Sequence, residues 1–439
     1  MYQKAKNTIK RFIPRSLFAA FVNKYHWLEA FVANVITGFP AKGMKVIGVT
    51  GTSGKSTTTA LISHIFNENG KKTAHFTTTN AFWGGEEHEN ASSLTTETPL
   101  NLYKRIKKVK ESGDEYLTVE TSAHAIVQNR LAFVSYRGGV FTNLSHDHLD
   151  YFGDMQTYAA VKQRLFIHVA EQGGYGVFEA QDEYTPVMEE PIEPSQRILF
   201  GLQSGDVAGY ELSEKDGMSY FTAIHGEQKV KVAMPLIGRH NVKNALAAIA
   251  CAVKEGVDFE RAAKSLSSFT GVKGRMERFT APNGAQVLID FAHTPDAFEL
   301  ILSGLRNSTD GKLLAVFGGY GDRDPSIRGP FGRITATYCD DIILTEDTVG
   351  SETVEAINRD ILNGIEKVDN YKGKVTQIEA REDAILEALS RAGPDDTVAL
   401  LGKGHEREIK RYPKNKPWDE IAATKHAFDL IKEDQHGKK

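Results

Sequence analysis

Residues 46–66 constrain this chain more than any other stretch. VIGVT is an apolar run, GTSGKST follows at 51–57, and TTALISHIF continues with helical spacing. Strand, glycine turn and helix, in that order, build a phosphate cradle. The turn aims backbone N–H groups inward, and the helix N-terminus adds partial positive charge. Gly51, Thr52, Ser53 and Gly54 shape the turn, Lys55 can reach outer phosphates, and Ser56 or Thr57 can offer a hydroxyl to Mg²⁺. The loop is the short G-x-x-G-K-S form, because Val49 stands where the longer pattern has its first glycine. A tight turn alone is the structural alternative. The flanking strand and helix favour nucleoside triphosphate binding.

The 439 residues allow two or three domains, and 41% apolar with 25% charged residues describes a globular chain with ample core. A net charge of -4 gives no basis for a nucleic-acid partner. Cys251 and Cys339 lack metal-ligand spacing. Their number fits a reducing compartment, so the expectation is a cytoplasmic protein; a monomer is expected separately. No run reaches the roughly 20 apolar residues of a membrane span.

Residues 1–40 read differently. Lys4, Lys6, Lys10, Arg11 and Arg15 precede Phe18, Phe21, Val22, Leu28, Phe31, Val32 and Val35 at near-helical spacing, with Lys24 and Glu29 interrupting. Two readings stand: a helix packed on the next domain, or a basic amphipathic helix in contact with a membrane surface.

From 45 to 256 strands and helices alternate, with strands at KVIGVT, KTAHFT, EYLTVE, RGGVFTNL and GYGVFE and helices at 55–67, 99–112, 155–170 and 240–255. Residues 197–235 read as a small antiparallel insertion. A second alternation starts near 274, with strands AQVLID, KLLAVFG, DIILTE and TVALLG. The fold class is therefore α/β: a central parallel-sheet ATPase domain at 44–272, a C-terminal Rossmann-like α/β domain at 273–439, and a helical segment at 1–43.

Polar clusters stand at the C-terminal ends of these strands, where open α/β sheets hold ligands. VETSAHA (119–125) places Glu120 for Mg²⁺, with Ser122 and His124 beyond. TNLSHDHLDYFG (142–153) offers His148 as a metal ligand, with Asn143 and Asp150 in support. In AAVKQRLF, Lys162 reads by itself as a solvated helix lysine. GRHNVKNALAA opens a helix with His240, Asn241 and Asn244, which can contact a nucleotide or simply cap the helix. Arg275 lies in GRMERF, Asp290 and His293 in DFAHTPDA, Asp322 to Asp324 in GGYGDRD, and Lys403, His405 and Glu406 in GKGHE.

Taken together, these motifs resemble the Mur ligase family over about residues 45–406, and the last three most resemble the branch that adds the third stem residue of peptidoglycan. The resemblance implies an ATP- and Mg²⁺-dependent amide ligase working through an acyl phosphate. Its implied acceptor is UDP-N-acetylmuramoyl-L-alanyl-D-glutamate and its amine a diamino acid, diaminopimelate or lysine. It also implies roles for single residues. Lys55 and the 51–57 loop hold phosphates; Ser56 and Glu120 serve one Mg²⁺ and His148 a second. Lys162 is the carbamylated lysine. Asn241, Arg275 and Asp290 line the nucleotide, with Asn143 beside it. Thr98, Ser122, His124 and Arg130 lie on the acceptor side, and Asp347, Lys403 and Glu406 on that of the amino acid.

Three departures keep alternatives open. About 43 residues precede the nucleotide strand, where the family carries a UDP-binding domain. EDTVGSE (346–352) retains Asp347 but has Gly350 at the arginine position of the amino-acid motif. Ser326-Ile327-Arg328 replaces a G-K-R triplet. A ligase of this fold acting on a folate, a poly-glutamate or a lipid-linked carrier remains open, as does an inactive nucleotide-binding protein at a membrane surface.

Overall fold

The computed structural model describes residues 15–89, 94–215, 217–369 and 371–437; at 15–22, 89, 150 and 434–437 it describes the backbone alone. Lys4, Lys6, Lys10 and Arg11 therefore lie outside the described residues. Two compact units result: Met1–Leu212 with Phe221–Ala233 and Lys243–Ser267, and Ser213–Tyr220 with Met234–Val242 and Ser268–Lys439.

In the first unit, α1 (Arg15–Thr37) leads to β1 (Lys45–Thr50) and α2 (Lys55–Glu68). Then come β2 (Thr73–Phe76), β3 (Asn80–Trp83), β4 (Glu86–Glu89), α3 (Pro99–Glu111), β5 (Tyr116–Glu120), α4 (Ala123–Val127) and β6 (Tyr136–Phe141). The helices α5 (Leu149–Phe152) and α6 (Met155–Glu171) precede β7 (Tyr175–Glu179) and α7 (Thr185–Glu189). The strands β8 (Arg197–Leu202), β9 (Val207–Lys215), β10 (Met218–His225) and β11 (Gln228–Met234) follow, then α8 (Arg239–Lys254) and α9 (Phe259–Ser265). The sheet order is β11-β10-β9-β8-β7-β6-β1-β5-β2-β3-β4. β1 pairs in parallel with both β5 and β6, so the turns after these three strands share one end of the sheet. β1 is buried from Val46 onward, as a strand covered on both faces must be. Val46, Leu117, Phe141, Phe166 and Phe178 belong to its core.

Residues 197–235 correct one expectation. They form no separate insertion: β8 pairs in parallel with β7 and with β9, and the segment lengthens the main sheet. Alternating side chains mark a half-exposed strand wherever its neighbours lie, so the pattern could not distinguish the two arrangements.

In the second unit, β12 (Glu277–Thr280), β13 (Gln286–Asp290), α10 (Pro295–Ser308), β14 (Leu313–Phe317), α11 (Arg328–Tyr338) and β15 (Asp341–Leu344) precede α12 (Val354–Ile365), β16 (Lys374–Gln377), α13 (Arg381–Arg391) and β17 (Thr397–Leu401). The sheet order is β12-β13-β17-β14-β15-β16, with β12 antiparallel to β13 and the rest parallel. Successive residues feed opposite faces: Leu288, Ala315 and Phe317 pack on one side, and Val287, Ile289, Leu314 and Val316 on the other. The short pair β18 (Glu408–Ile409) and β19 (Lys416–Pro417) and the helix α14 (Glu420–Gly437) complete the unit. Buried Arg381 on α13 and Glu420 on α14 form an ion pair at 2.7 Å. No described helix is long and apolar enough to cross a membrane.

Candidate active site

The phosphate loop leaves β1 where the backbone demands glycine. A Cβ on Gly51 would stand 2.0 Å from Thr142 Oγ1. Gly54, at the N-cap of α2, is left-handed with φ +80°, and a Cβ there would meet Asn244 Oδ1 at 2.3 Å. The chain therefore passes close to two polar side chains while the first N–H groups of α2 are directed outward.

The turn after β6 holds this loop from both sides. Asn143 Oδ1 accepts from Ser53 N at 2.9 Å, and its Nδ2 donates to Ser53 O at 3.0 Å. Thr142 Oγ1 donates to Ser53 O at 2.7 Å, and Thr52 N donates to Asn143 O at 2.9 Å. Asn143 thus acts on the loop itself. Lys55 Nζ donates to Thr52 O at 2.8 Å. Thr57 is buried on the first turn of α2.

Glu120 ends β5 beside this loop. Its Oε2 accepts from Ser56 Oγ at 2.8 Å, Thr78 N at 2.8 Å and Thr78 Oγ1 at 2.9 Å. The other carboxylate oxygen takes part in none of these three bonds. Thr78 was not among the residues singled out in the sequence, although TTTN (77–80), rich in hydroxyls after β2, was the available signal.

Lys162 overturns its reading as a solvated lysine. It is 1% exposed, and Nζ donates to Gly51 O at 2.7 Å and lies 4.6 Å from the centre of the Tyr158 ring. Burial, helped by the positive charge of Lys55, holds its amine well below the usual lysine range. A neutral amine is the form that can attack CO₂, forming an N–C bond and releasing a proton, to give a carbamate whose single negative charge is shared by two oxygens. Among the described residues, no three His, Cys, Asp or Glu side chains converge on a metal position. A cation here would draw on the Ser56 hydroxyl, the Glu120 carboxylate and a modified Lys162.

His148 has left-handed backbone at φ 55°, and its Nε2 lies 3.3 Å from Asp147 Oδ2. His124 meets it edge to face at 5.0 Å and packs on Tyr151 and Phe152. His148 also reaches Tyr158 at 6.3 Å, the ring over which Lys162 lies. The Asp150 side chain lies outside the described residues. Arg130 is buried and donates to Thr96 O and to Gln128 Oε1. Ser122 caps α4 by accepting from Ala125 N at 3.2 Å.

Thr98 is the exposed N-cap of α3 and makes no side-chain capping bond. Two residues earlier, Thr96 reaches the strand end, donating from Oγ1 to Glu120 O at 2.9 Å. Proline at 99 fixes the start of α3.

Asn241, in the first turn of α8 that belongs to the second unit, donates from Nδ2 to Ile237 O at 2.7 Å, which is a bond to a preceding carbonyl and not the N–H acceptance of a helix cap. The Asp290 carboxylate accepts from Met276 N at 2.8 Å; burial raises its pKa and the charge of Arg275 opposes that rise. The Arg275 guanidinium lies 4.8 Å from the centre of the Phe291 ring. Buried Lys403 sits 3.0 Å from Asp347 Oδ1, 2.5 Å from Glu406 Oε2 and 3.2 Å from Thr348 Oγ1. Asp347, Lys403 and Glu406 are therefore one cluster.

Two departures acquire physical reasons. A Cβ on Gly350 (φ +64°) would stand 2.2 Å from Asp322 Oδ2, and Asp322 accepts from Ser351 N and Oγ. Arg328, in the changed triplet, is buried and pairs with Glu352 at 2.7 Å and Asp360 at 2.9 Å. It ties α11 to α12.

Strand order, a clamped phosphate loop, a strand-end carboxylate and a buried lysine together define an α/β ligase that uses ATP. The chain belongs to the Mur ligase family. Residues 49–252 match the Mur ligase middle domain, and residues 274–404 match the Mur ligase glutamate ligase domain. The chain is 36% identical over 379 residues to UDP-N-acetylmuramoyl-L-alanyl-D-glutamate–2,6-diaminopimelate ligase of Syntrophomonas wolfei subsp. wolfei, covering 86% of this chain and 76% of that protein. It is 35% identical over 413 residues to UDP-N-acetylmuramyl-tripeptide synthetase of Roseiflexus sp., covering 90% and 81%. A solved UDP-N-acetylmuramoyl-L-alanyl-D-glutamate–2,6-diaminopimelate ligase superposes with a TM-score of 0.62 at 27% identity, covering 89% of this chain and 79% of that one.

Proposed function

We propose that this ligase joins a diamino acid, diaminopimelate or lysine, to the D-glutamyl carboxylate of UDP-N-acetylmuramoyl-L-alanyl-D-glutamate, acting as a monomer. The observation that carries the reading is the Ser56, Glu120 and Lys162 group gathered on the 51–57 loop. That group fits a hydrated divalent cation beside nucleotide phosphates.

A carboxylate is a poor acyl donor because its leaving group would be an oxide. Attack of one carboxylate oxygen on the γ-phosphorus forms an O–P bond and breaks the bond to ADP. The amine then attacks the acyl carbon, the C–N bond forms, phosphate leaves and the amine loses a proton. The protein's part is positioning and charge neutralisation. The N–H groups of the 51–57 loop and of α2 hold phosphate oxygens, and Lys55 exchanges Thr52 O for an outer phosphate. Ser56 and Glu120 would hold one Mg²⁺ and His148 a second, with carbamylated Lys162 as a further anionic ligand, and these ions would neutralise charge on the phosphates. Asn143 keeps the loop in shape. Asn241, Arg275 and Asp290 serve the nucleotide, and His124 and Arg130 the acceptor. Asp347 and Glu406 receive the amine of the incoming amino acid, with Lys403 balancing their charge.

The test is phosphate release with ATP, Mg²⁺ and the UDP-linked dipeptide across a panel of amino acids, with products identified by mass. Turnover with one diamino acid supports the reading. Silence with every amine, while a folate, poly-glutamate or lipid-linked acceptor turns over, refutes the acceptor and leaves the family standing.

A further inference from the structure

The N-terminal helix has its polarity reversed. α1 buries Ala30, Ala33, Asn34 and Thr37 and turns Trp27, Leu28, Phe31, Val32, Val35 and Ile36 outward. Leu28, Val35 and Ile36 are 54%, 52% and 64% exposed. A surface helix ordinarily does the opposite. On the inward side Asn34 Nδ2 donates to Ala30 O at 3.0 Å and Thr37 Oγ1 to Ala33 O at 2.7 Å. Among the described residues, eight of the sixteen exposed large apolar or aromatic side chains fall between Tyr25 and Phe39. Chance scatter would not gather half of them into so short a segment, and concentrated exposed apolar surface marks an interaction face. The face is preformed, since Trp27 and Phe31 stack at 5.5 Å and both lean on Phe133.

Charge selects the occupant. Residues 1–28 contain Lys4, Lys6, Lys10, Arg11, Arg15 and Lys24 and no Asp or Glu, although the whole chain nets -4. α1 packs along α3, which exposes Lys104, Lys107, Lys108 and Lys110. Lys110 Nζ donates to Lys42 O just beyond α1, so cations also line this end. The carboxylates on the two helices are Glu29 and Glu111. A second copy of the chain would bring these cations against one another. An anionic lipid surface would neutralise them while taking up the Trp, Phe, Leu, Val and Ile side chains at the headgroup boundary. We infer that α1, flanked by α3, is a docking element for an anionic membrane surface.

The test is flotation of the full chain with vesicles of phosphatidylcholine alone and of phosphatidylcholine mixed with phosphatidylglycerol. Binding to the anionic vesicles is expected to exceed binding to neutral ones by roughly tenfold or more, to weaken with salt, and to shift Trp27 emission to the blue. Combined Leu28→Gln, Val35→Gln and Ile36→Gln should abolish it while ATP binding persists. If that variant does not fold, Lys104→Gln with Lys107→Gln and Lys108→Gln should flatten the salt dependence. Three results overturn the proposal: equal binding to both vesicles, anionic binding unchanged in the apolar variant, or no vesicle binding at all. In the last case, a dimer that the apolar variant dissolves identifies a second copy as the occupant, and a persistent monomer leaves the face to another part of this chain or to solvent.

Discussion

Glu120→Gln separates the chemistry of the site from its architecture. The carboxylate accepts three bonds on one oxygen, from Ser56 and twice from Thr78. A charge-assisted bond is worth about 1.5–3 kcal/mol and a neutral one about 0.5–1.5, so three bonds weakened by ~1 kcal/mol each remove about 3 kcal/mol. The same change relieves the desolvation of a buried anion, worth several kcal/mol in the opposite direction. The two nearly offset, and net stability should move by no more than about 2 kcal/mol, a melting shift of a few degrees. Catalysis has no such offset. Loss of the negative charge beside the phosphates should raise the barrier by about 3–4 kcal/mol, a fall in phosphate release of roughly 10²- to 10³-fold. Calorimetry for stability and a phosphate-release assay at saturating Mg²⁺ measure both quantities on one preparation. Phosphate release within tenfold of the unaltered protein, with melting unchanged, would refute the assignment of Glu120 to the cation.

Lys162→Ala should nearly abolish turnover without unfolding the protein, and added bicarbonate should not restore it, because no amine remains to carry the carbamate; near-normal turnover would count against that role. His75 is buried with its pKa lowered to about 4 by desolvation. The unfolded chain binds its proton between the ordinary value near 6.5 and about 4, so stability is present above 6.5 and is lost as pH falls towards 4, by about 3 kcal/mol. Urea titrations of His75→Phe at pH 7 and pH 4 should show that loss removed; an unchanged difference would refute it. Gly350→Arg should not restore an amino-acid contact, because the Cβ would stand 2.2 Å from Asp322 Oδ2 at φ +64°. It should destabilise by a few kcal/mol in thermal melts, and undiminished stability would show that the 346–352 turn yields.

Much of the site was legible because phosphate chemistry writes itself into contiguous sequence. The loop at 51–57, Glu120, and the polar clusters after the strands of both units lie where the alternation of apolar runs and turns puts them. What escaped reading joins residues distant in sequence. Thr78 meets Glu120 across 42 positions, and Asn244 lies against Gly54 from a helix nearly two hundred residues on. Neither threonine nor asparagine has a local pattern that reveals such a partner. Lys162 misled because a lysine among apolar neighbours looks like a solvated helix residue until the opposite wall, here the Gly51 carbonyl, is in place. The helix at 15–37 showed two faces in sequence without showing which one turns inward. Ala30 and Ala33 decide it, since small side chains allow the close approach that Phe31 and Ile36 would prevent.

The clamp of Asn143 and Thr142 on Ser53 has a consequence for how nucleotide arrives. The loop is already closed over its own hydrogen bonds, and Lys55 rests on Thr52 O. At this loop, binding therefore exchanges one acceptor for another on a finished cradle. Little conformational entropy of the 51–57 loop itself is left to lose when phosphate binds there, the condition under which a cradle is pre-organised for its ligand.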